Sequence, residues 1–98
     1  MMRQVGFHPA ARRELLEAAD FYDLESAGLG SALIDSVDRS LSHIRQFPDA
    51  APVLRGPARK ALVAGFPYSL IYTTLEDDVL IVALAHHRRR PFYWQDRV

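Results

Sequence analysis

The sequence predicts an α+β fold: a two-helix antiparallel hairpin packed on one face of a small antiparallel β-sheet, in the order β-α-α-β-β-β. Three observations carry this expectation. Between Pro9 and Phe47 the apolar side chains recur at helical spacing, in two stretches separated by a glycine-containing break. Beyond Pro48 that period disappears, and short runs rich in β-branched and aromatic residues replace it. One such run, Val79 to Ala85, is apolar at every position, as suits a central strand covered on both faces.

Taken in order, Val5 to Phe7 reads as a short strand stopped by His8-Pro9. Proline suits the first helical turn, where its missing N–H would have had no partner. From Ala10, the residues Ala11, Leu15, Ala18 and Tyr22 fall on one helix face, while Arg13, Glu14, Glu17 and Asp20 are expected to face solvent. The helix ends within Asp23–Gly28, because Gly28 can turn left-handed at little cost. Gly28-Leu29-Gly30 lacks the preceding strand and third glycine of a dinucleotide fingerprint, so it reads as a hairpin turn. A second helix starts at about Leu29. Leu33, Val37, Leu41 and Ile44 form its inward stripe, and Asp35, Asp38, Arg39 and Arg45 point outward. Phe47-Pro48 stops it, since a residue before proline is pushed out of helical geometry. Two amphipathic helices with so short a connection pack antiparallel.

Asp49 to Pro57 reads as a loop. Arg59–Val63 and Ser69–Thr73 follow as strands, and Glu76-Asp77-Asp78 turns the chain into Val79–Ala85. A chain of 98 residues is expected to form one domain, 1–98, around one core. Its 49% hydrophobic content excludes a disordered chain, and no apolar run approaches the roughly 18 residues of a membrane span. The first residues show no apolar signal segment, and cysteine is absent, which excludes disulfide and thiol chemistry. The expected location is cytoplasmic, with no membrane association.

Net charge is zero, but its distribution is uneven. Residues 1–54 carry five basic and eight acidic side chains, whereas residues 55–98 carry seven basic and four acidic. Arg55, Arg59 and Lys60 form one basic group, and Arg88, Arg89 and Arg90 form another. The second group directly follows the most apolar strand and leads into Phe92-Tyr93-Trp94. Arginine forks suit phosphate or carboxylate, and neighbouring aromatics offer stacking surfaces. The target-binding candidates are therefore Arg55, Arg59, Lys60, Arg88, Arg89, Arg90 and Trp94. The plainer alternative has Phe92 and Trp94 folding back over the core, with the arginines merely solvated. His86 and His87 are adjacent, so in a strand they face opposite sides, and no further ligands complete a metal set. Neither a metal nor another cofactor is expected. One of the two histidines can serve as a general base near neutral pH, whereas His8 and His43 read as surface or capping residues.

Three stretches in this order and spacing, FHPAARRELLEAADFYD, GLGSALIDSVDRSLSHIRQFPDAAPVL and RKALVAGFPYSLIYTTLEDDVLIVALAHHRRRPFYW, resemble the RelE/ParE superfamily of toxins, including the plasmid-stabilisation proteins. The resemblance covers roughly residues 4 to 94. It implies the helical hairpin on a small sheet, a type II toxin–antitoxin system, and a cognate antitoxin protein as partner. RelE-like members are metal-independent, ribosome-dependent mRNA endoribonucleases, whereas ParE-like members inhibit DNA gyrase. RelE-like sequences commonly carry an arginine where this chain has Ser69, and they are strongly basic. Both departures favour a ParE-like growth inhibitor. If the chain is instead an endoribonuclease, His87, Arg88 and Tyr93 are the candidates for base, phosphorane-stabilising cation and acid. A third alternative is a degenerate, non-toxic module that still binds its antitoxin.

Overall fold

The computed structural model describes residues 3–98 and consists of two helices and a five-stranded sheet. The elements are β1 (Val5–Phe7), α1 (Pro9–Glu25), α2 (Leu29–Gln46), β2 (Val53–Arg55), β3 (Ala58–Leu62), β4 (Tyr68–Leu75) and β5 (Asp78–His86), followed by a single 3₁₀ turn (Gln95–Arg97). The helix signals act as read. His8 caps α1 by accepting the Ala10 N–H on Nδ1 at 3.0 Å, with Pro9 in the first turn. Gly28 sits at φ 89°, the left-handed conformation that reverses the chain between the helices. Gly30 lets the helices approach closely. A Cβ there would collide with the carbonyl oxygen of Ala19 and come within 2.8 Å of the Asp23 carboxyl. That carboxyl also accepts the Gly30 N–H at 2.8 Å.

Leu33, Val37 and Ile44 of α2 are buried with Ala11 and Ala18 of α1, and Leu41, Leu15 and Tyr22 pack against them partly exposed. This stripe rests on Leu70, Tyr72, Val79, Ile81 and Leu84 of the sheet. The α+β class and the hairpin on one sheet face stand as expected, but the sheet differs in two respects. Its order is β1-β5-β4-β3-β2, and β1 runs parallel to β5, with Val5 opposite Val79 and Phe7 opposite Ile81, so the sheet is mixed. The connection between these parallel neighbours runs through the helical hairpin to β2 at the far edge and returns across the sheet through β3 and β4. The expected loop also contains β2, which pairs with β3 through a tight turn from Arg55 to Ala58. Three residues between two prolines are too few to show a period.

A bulge in β5 reshapes the sheet face opposite the helices. Ile71 pairs with Ala83 but Tyr72 pairs with Ile81, leaving Val82 as an extra residue. Val82 and Ala83 consequently share one face, joining Ala58, Ile71 and Trp94 in a second core cluster. The sheet is thus apolar on both sides, with helices over one and the C-terminal segment over the other.

Because the helix approach leaves no room for a Cβ, Gly30→Ala should destabilise the fold by about 1–3 kcal/mol through overpacking. Urea denaturation checks this, and an unchanged midpoint would mean that the helices can part without loss.

Candidate functional site

The candidate site is the end of β5 and the strap beyond it. After His86 the chain turns back across the second face. Phe92 adopts φ 61°, a left-handed conformation costly for a bulky residue, on the order of 1–3 kcal/mol. Its surroundings hold it there: the Arg55 guanidinium stacks 3.6 Å from its ring centroid, and Trp94 meets it edge-on at 5.9 Å. Arg55 also donates to Gln95 Oε1 at 3.1 Å. Trp94 is only 2% exposed and closes the second cluster. It is therefore core cover, not the target-facing ring expected from sequence.

The strap is fastened to the first helix. Glu14 of α1 accepts hydrogen bonds from the two terminal guanidinium nitrogens of Arg97, at 2.9 and 3.1 Å, and from the Tyr93 hydroxyl at 2.8 Å. It also accepts the Leu84 N–H at 3.1 Å. The Glu14 and Arg97 side chains keep only 16% and 18% of their exposure. Glu14 was expected to face solvent, and its burial is a correction. The signal was in the helical period: Ala11, Glu14, Leu15 and Ala18 occupy one i, i+3, i+4, i+7 stripe, and a carboxylate inside such a stripe needs a partner. Burial first, then the hydrogen bond to Glu14 and its charge, push the Tyr93 phenol above the ordinary tyrosine range, against the pull of Arg89 and Arg97.

A cleft of about 180 Å³ opens between the strap and the sheet. Lys60, Ser69, His87, Arg89 and Arg90 line it together with the strap aromatics. At its inner end the buried Ser69 hydroxyl lies 3.1 Å from His87 Nε2. Arg89 is spread over the Tyr93 ring at 3.8 Å. Arg88 and Arg90 are exposed and make no ion pair among the described residues. Arg59 does not join this group. It is opposite Tyr72 in the register, and it donates to the carbonyls of Asp49 and Ala51 at 3.1 and 2.7 Å, bracing that loop on the helix side. Nor do His87, Arg88 and Tyr93 converge: Arg88 is outside the cleft lining, and the Tyr93 hydroxyl is spent on Glu14. Among the described residues no group of three or more His, Asp or Glu could hold a metal ion.

Known proteins share this architecture. The family model described as "ParE toxin of type II toxin-antitoxin system, parDE" matches residues 5–91. A solved structure of the chromosomal ParDE toxin–antitoxin system from P. aeruginosa superposes with a TM-score of 0.75 at 12% identity, covering 87% of this chain and 96% of that one. At that identity the likeness is one of fold. No curated protein sequence matches significantly.

Two outcomes are expected from the fastening of the strap. Glu14→Ala removes the acceptor of three groups and should cost about 2–4 kcal/mol, somewhat below the figure for a fully buried pair. Trp94 is the single tryptophan, so its emission should shift to the red as the strap loosens, with Glu14→Gln affected less. Unchanged emission would place the fastening elsewhere. With its folded pKa raised, Tyr93 contributes stability that is full below about pH 10, the unfolded value, and is lost as pH rises above it. Tyr93→Phe should flatten that alkaline decline in a series of melts.

Proposed function

The chain belongs to the ParE toxin family of type II toxin–antitoxin systems, and on that footing we propose that it arrests growth by binding a DNA gyrase-type target through the cationic lip at the end of β5. The observation that carries this reading is the state of two groups of side chains. The Tyr93 hydroxyl, the acid candidate of the endoribonuclease alternative, is tied to Glu14 and held protonated, which supports inhibition by binding over cleavage. Arg88 and Arg90 remain exposed and without ion pairs among the described residues, at the end of a strand covered on both faces. A rigid strand end positions a cation better than a loose tail does. Lys60 and Arg90 at the cleft extend the positive surface. The partner that neutralises such a toxin is a cognate antitoxin.

One observation favours a second reading. The Ser69–His87 pair opens on a cleft with Lys60 and Arg90, where a phosphate could sit beside a base. That would suit RelE-like cleavage of mRNA in the ribosome, with His87 as base and the arginines as anion stabilisers. The two readings separate in vitro. Purified protein should inhibit supercoiling by gyrase and leave mRNA on translating ribosomes intact. Cleaved mRNA with normal supercoiling would select the second reading, and growth unaffected by induction would leave a module that only binds antitoxin.

The lip itself is tested by Arg88→Ala combined with Arg90→Ala. Losing desolvated arginine contacts to an anionic partner costs roughly 2–5 kcal/mol, more than tenfold in affinity. Growth on induction should be restored while the melting temperature barely moves, because neither side chain has an ion-pair partner among the described residues. Full toxicity in this variant would exclude the lip.

A further inference from the structure

Arg55 closes β2, the strand at the sheet edge farthest from β1. Its place there is fixed. It pairs with Ala58 across a tight turn in which Gly56 takes φ 53°, and Ala58 is fully buried in the second cluster. From this base the Arg55 guanidinium reaches the strap and lies 3.6 Å from the Phe92 ring centroid, well within cation–π range. Its Nη1 donates to Gln95 Oε1 at 3.1 Å, and the Gln95 N–H donates to the Phe92 carbonyl at 2.9 Å. One face of the cation is thus covered by a ring, and one of its nitrogens is engaged. Arg55 makes no ion pair among the described residues.

The turn that carries Arg88, Arg89 and Arg90 hangs between two fixed points. At the β5 end, the Arg88 N–H donates to His86 Nδ1 and the Arg89 N–H to the His86 carbonyl, both at 3.0 Å. At the other end, the Tyr93 N–H donates to the Arg90 carbonyl at 3.3 Å, across Pro91 and Phe92. Phe92 sits inside that closure at φ 61°, a conformation that persists only where its surroundings impose it. The Glu14 clasp holds Tyr93 and Arg97 from the α1 side, whereas Arg55 reaches Phe92 and Gln95 from β2. A relaxation of Phe92 to negative φ would redirect the chain at Arg90.

We propose that Arg55 is a positioning residue for the lip: by holding Phe92 in its left-handed conformation it fixes the turn that presents Arg88 and Arg90, without itself touching the target. The inference rests on the reading of that lip as the target-binding surface. It gives the two basic groups of the sequence different tasks, since the strap arginines meet the partner and Arg55 keeps them in order beforehand. Side chains already ordered lose less freedom on binding.

The test compares Arg55→Ala with Arg55→Tyr in the whole chain. Arg55 is exposed, so both melting temperatures should stay near that of the wild type. Arg55→Ala should weaken inhibition of gyrase supercoiling by about tenfold, the order expected when two long side chains must be immobilised on binding. Hydrogen exchange of the Tyr93 and Gln95 amides, read on the toxin alone, should quicken. Arg55→Tyr carries no charge but offers Phe92 a ring, and it should restore both inhibition and protection. Phe92→Ala should match Arg55→Ala, and the double variant should be no weaker than either, as for two residues that act through one contact. Full inhibition by Arg55→Ala would overturn the proposal. So would weakened inhibition with unchanged exchange and no recovery in Arg55→Tyr, the signature of a direct charge contact, or a large fall in melting temperature. If the wild type spares gyrase, the earlier reading fails by itself. Exchange and growth on induction of the same variants then still decide the role of Arg55.

Discussion

The fold depends on how the unpaired half of β5 is satisfied. β1 is three residues long and β5 is nine, so beyond Ile81 the strand loses its neighbour on that side. Backbone groups left without partners inside a protein cost about 1–3 kcal/mol each. Side chains replace the missing strand: Glu14 accepts from Leu84 N–H, Arg97 donates to the Val82 carbonyl at 3.1 Å, and the Tyr93 hydroxyl lies 3.4 Å from the Leu84 carbonyl. Because Glu14 also binds Arg97 and Tyr93, the same contacts fix the rotation of α1 and the path of the strap. The position of the arginines at the end of β5 depends on all of them.

The bulge at Val82 divides the molecule's surfaces between two faces. Without it, Val82 and Ala83 would alternate and one of them would face the helices. With it, both support the strap, and the second face gains enough apolar surface to hold Trp94. β3 borders a cleft on each face of the sheet, one of about 600 Å³ beneath α2 and the other beneath the strap. One thin sheet thereby offers an apolar groove beneath α2 and a cationic lip beneath the strap.

What could be read from sequence was what neighbouring residues decide. The proline at the first turn of α1, the Phe47-Pro48 stop, the left-handed Gly28 and the polar turn at Glu76-Asp77 all act within a few residues, and each is where the pattern placed it. The apolar strand Val79–Ala85 is covered on both faces from Ile81 to Leu84, whereas Leu80 stays exposed near its start. Contacts between distant residues were not legible. The parallel pairing of β1 with β5 joins residues more than seventy positions apart, and Glu14 meets Arg97 across a separation of 83. The arginines were visible as clusters, but the strap sets which of them stack, and the loop after α2 claims Arg59. Sequence offered both roles for Trp94, and the second cluster decides for burial.

The parallel β1–β5 pair also governs the order in which the molecule can assemble. The α1–α2 hairpin and the β4–β5 hairpin close over short stretches of chain, whereas the β1–β5 ladder and the Glu14 clasp require nearly its whole length to be drawn together. Loop-closure entropy makes such long-range contacts late ones. Until they form, the most apolar strand has a bare edge and an uncovered face, the condition in which chains pair with one another and aggregate. Solubility during folding is therefore set by how fast the two ends of the described chain meet.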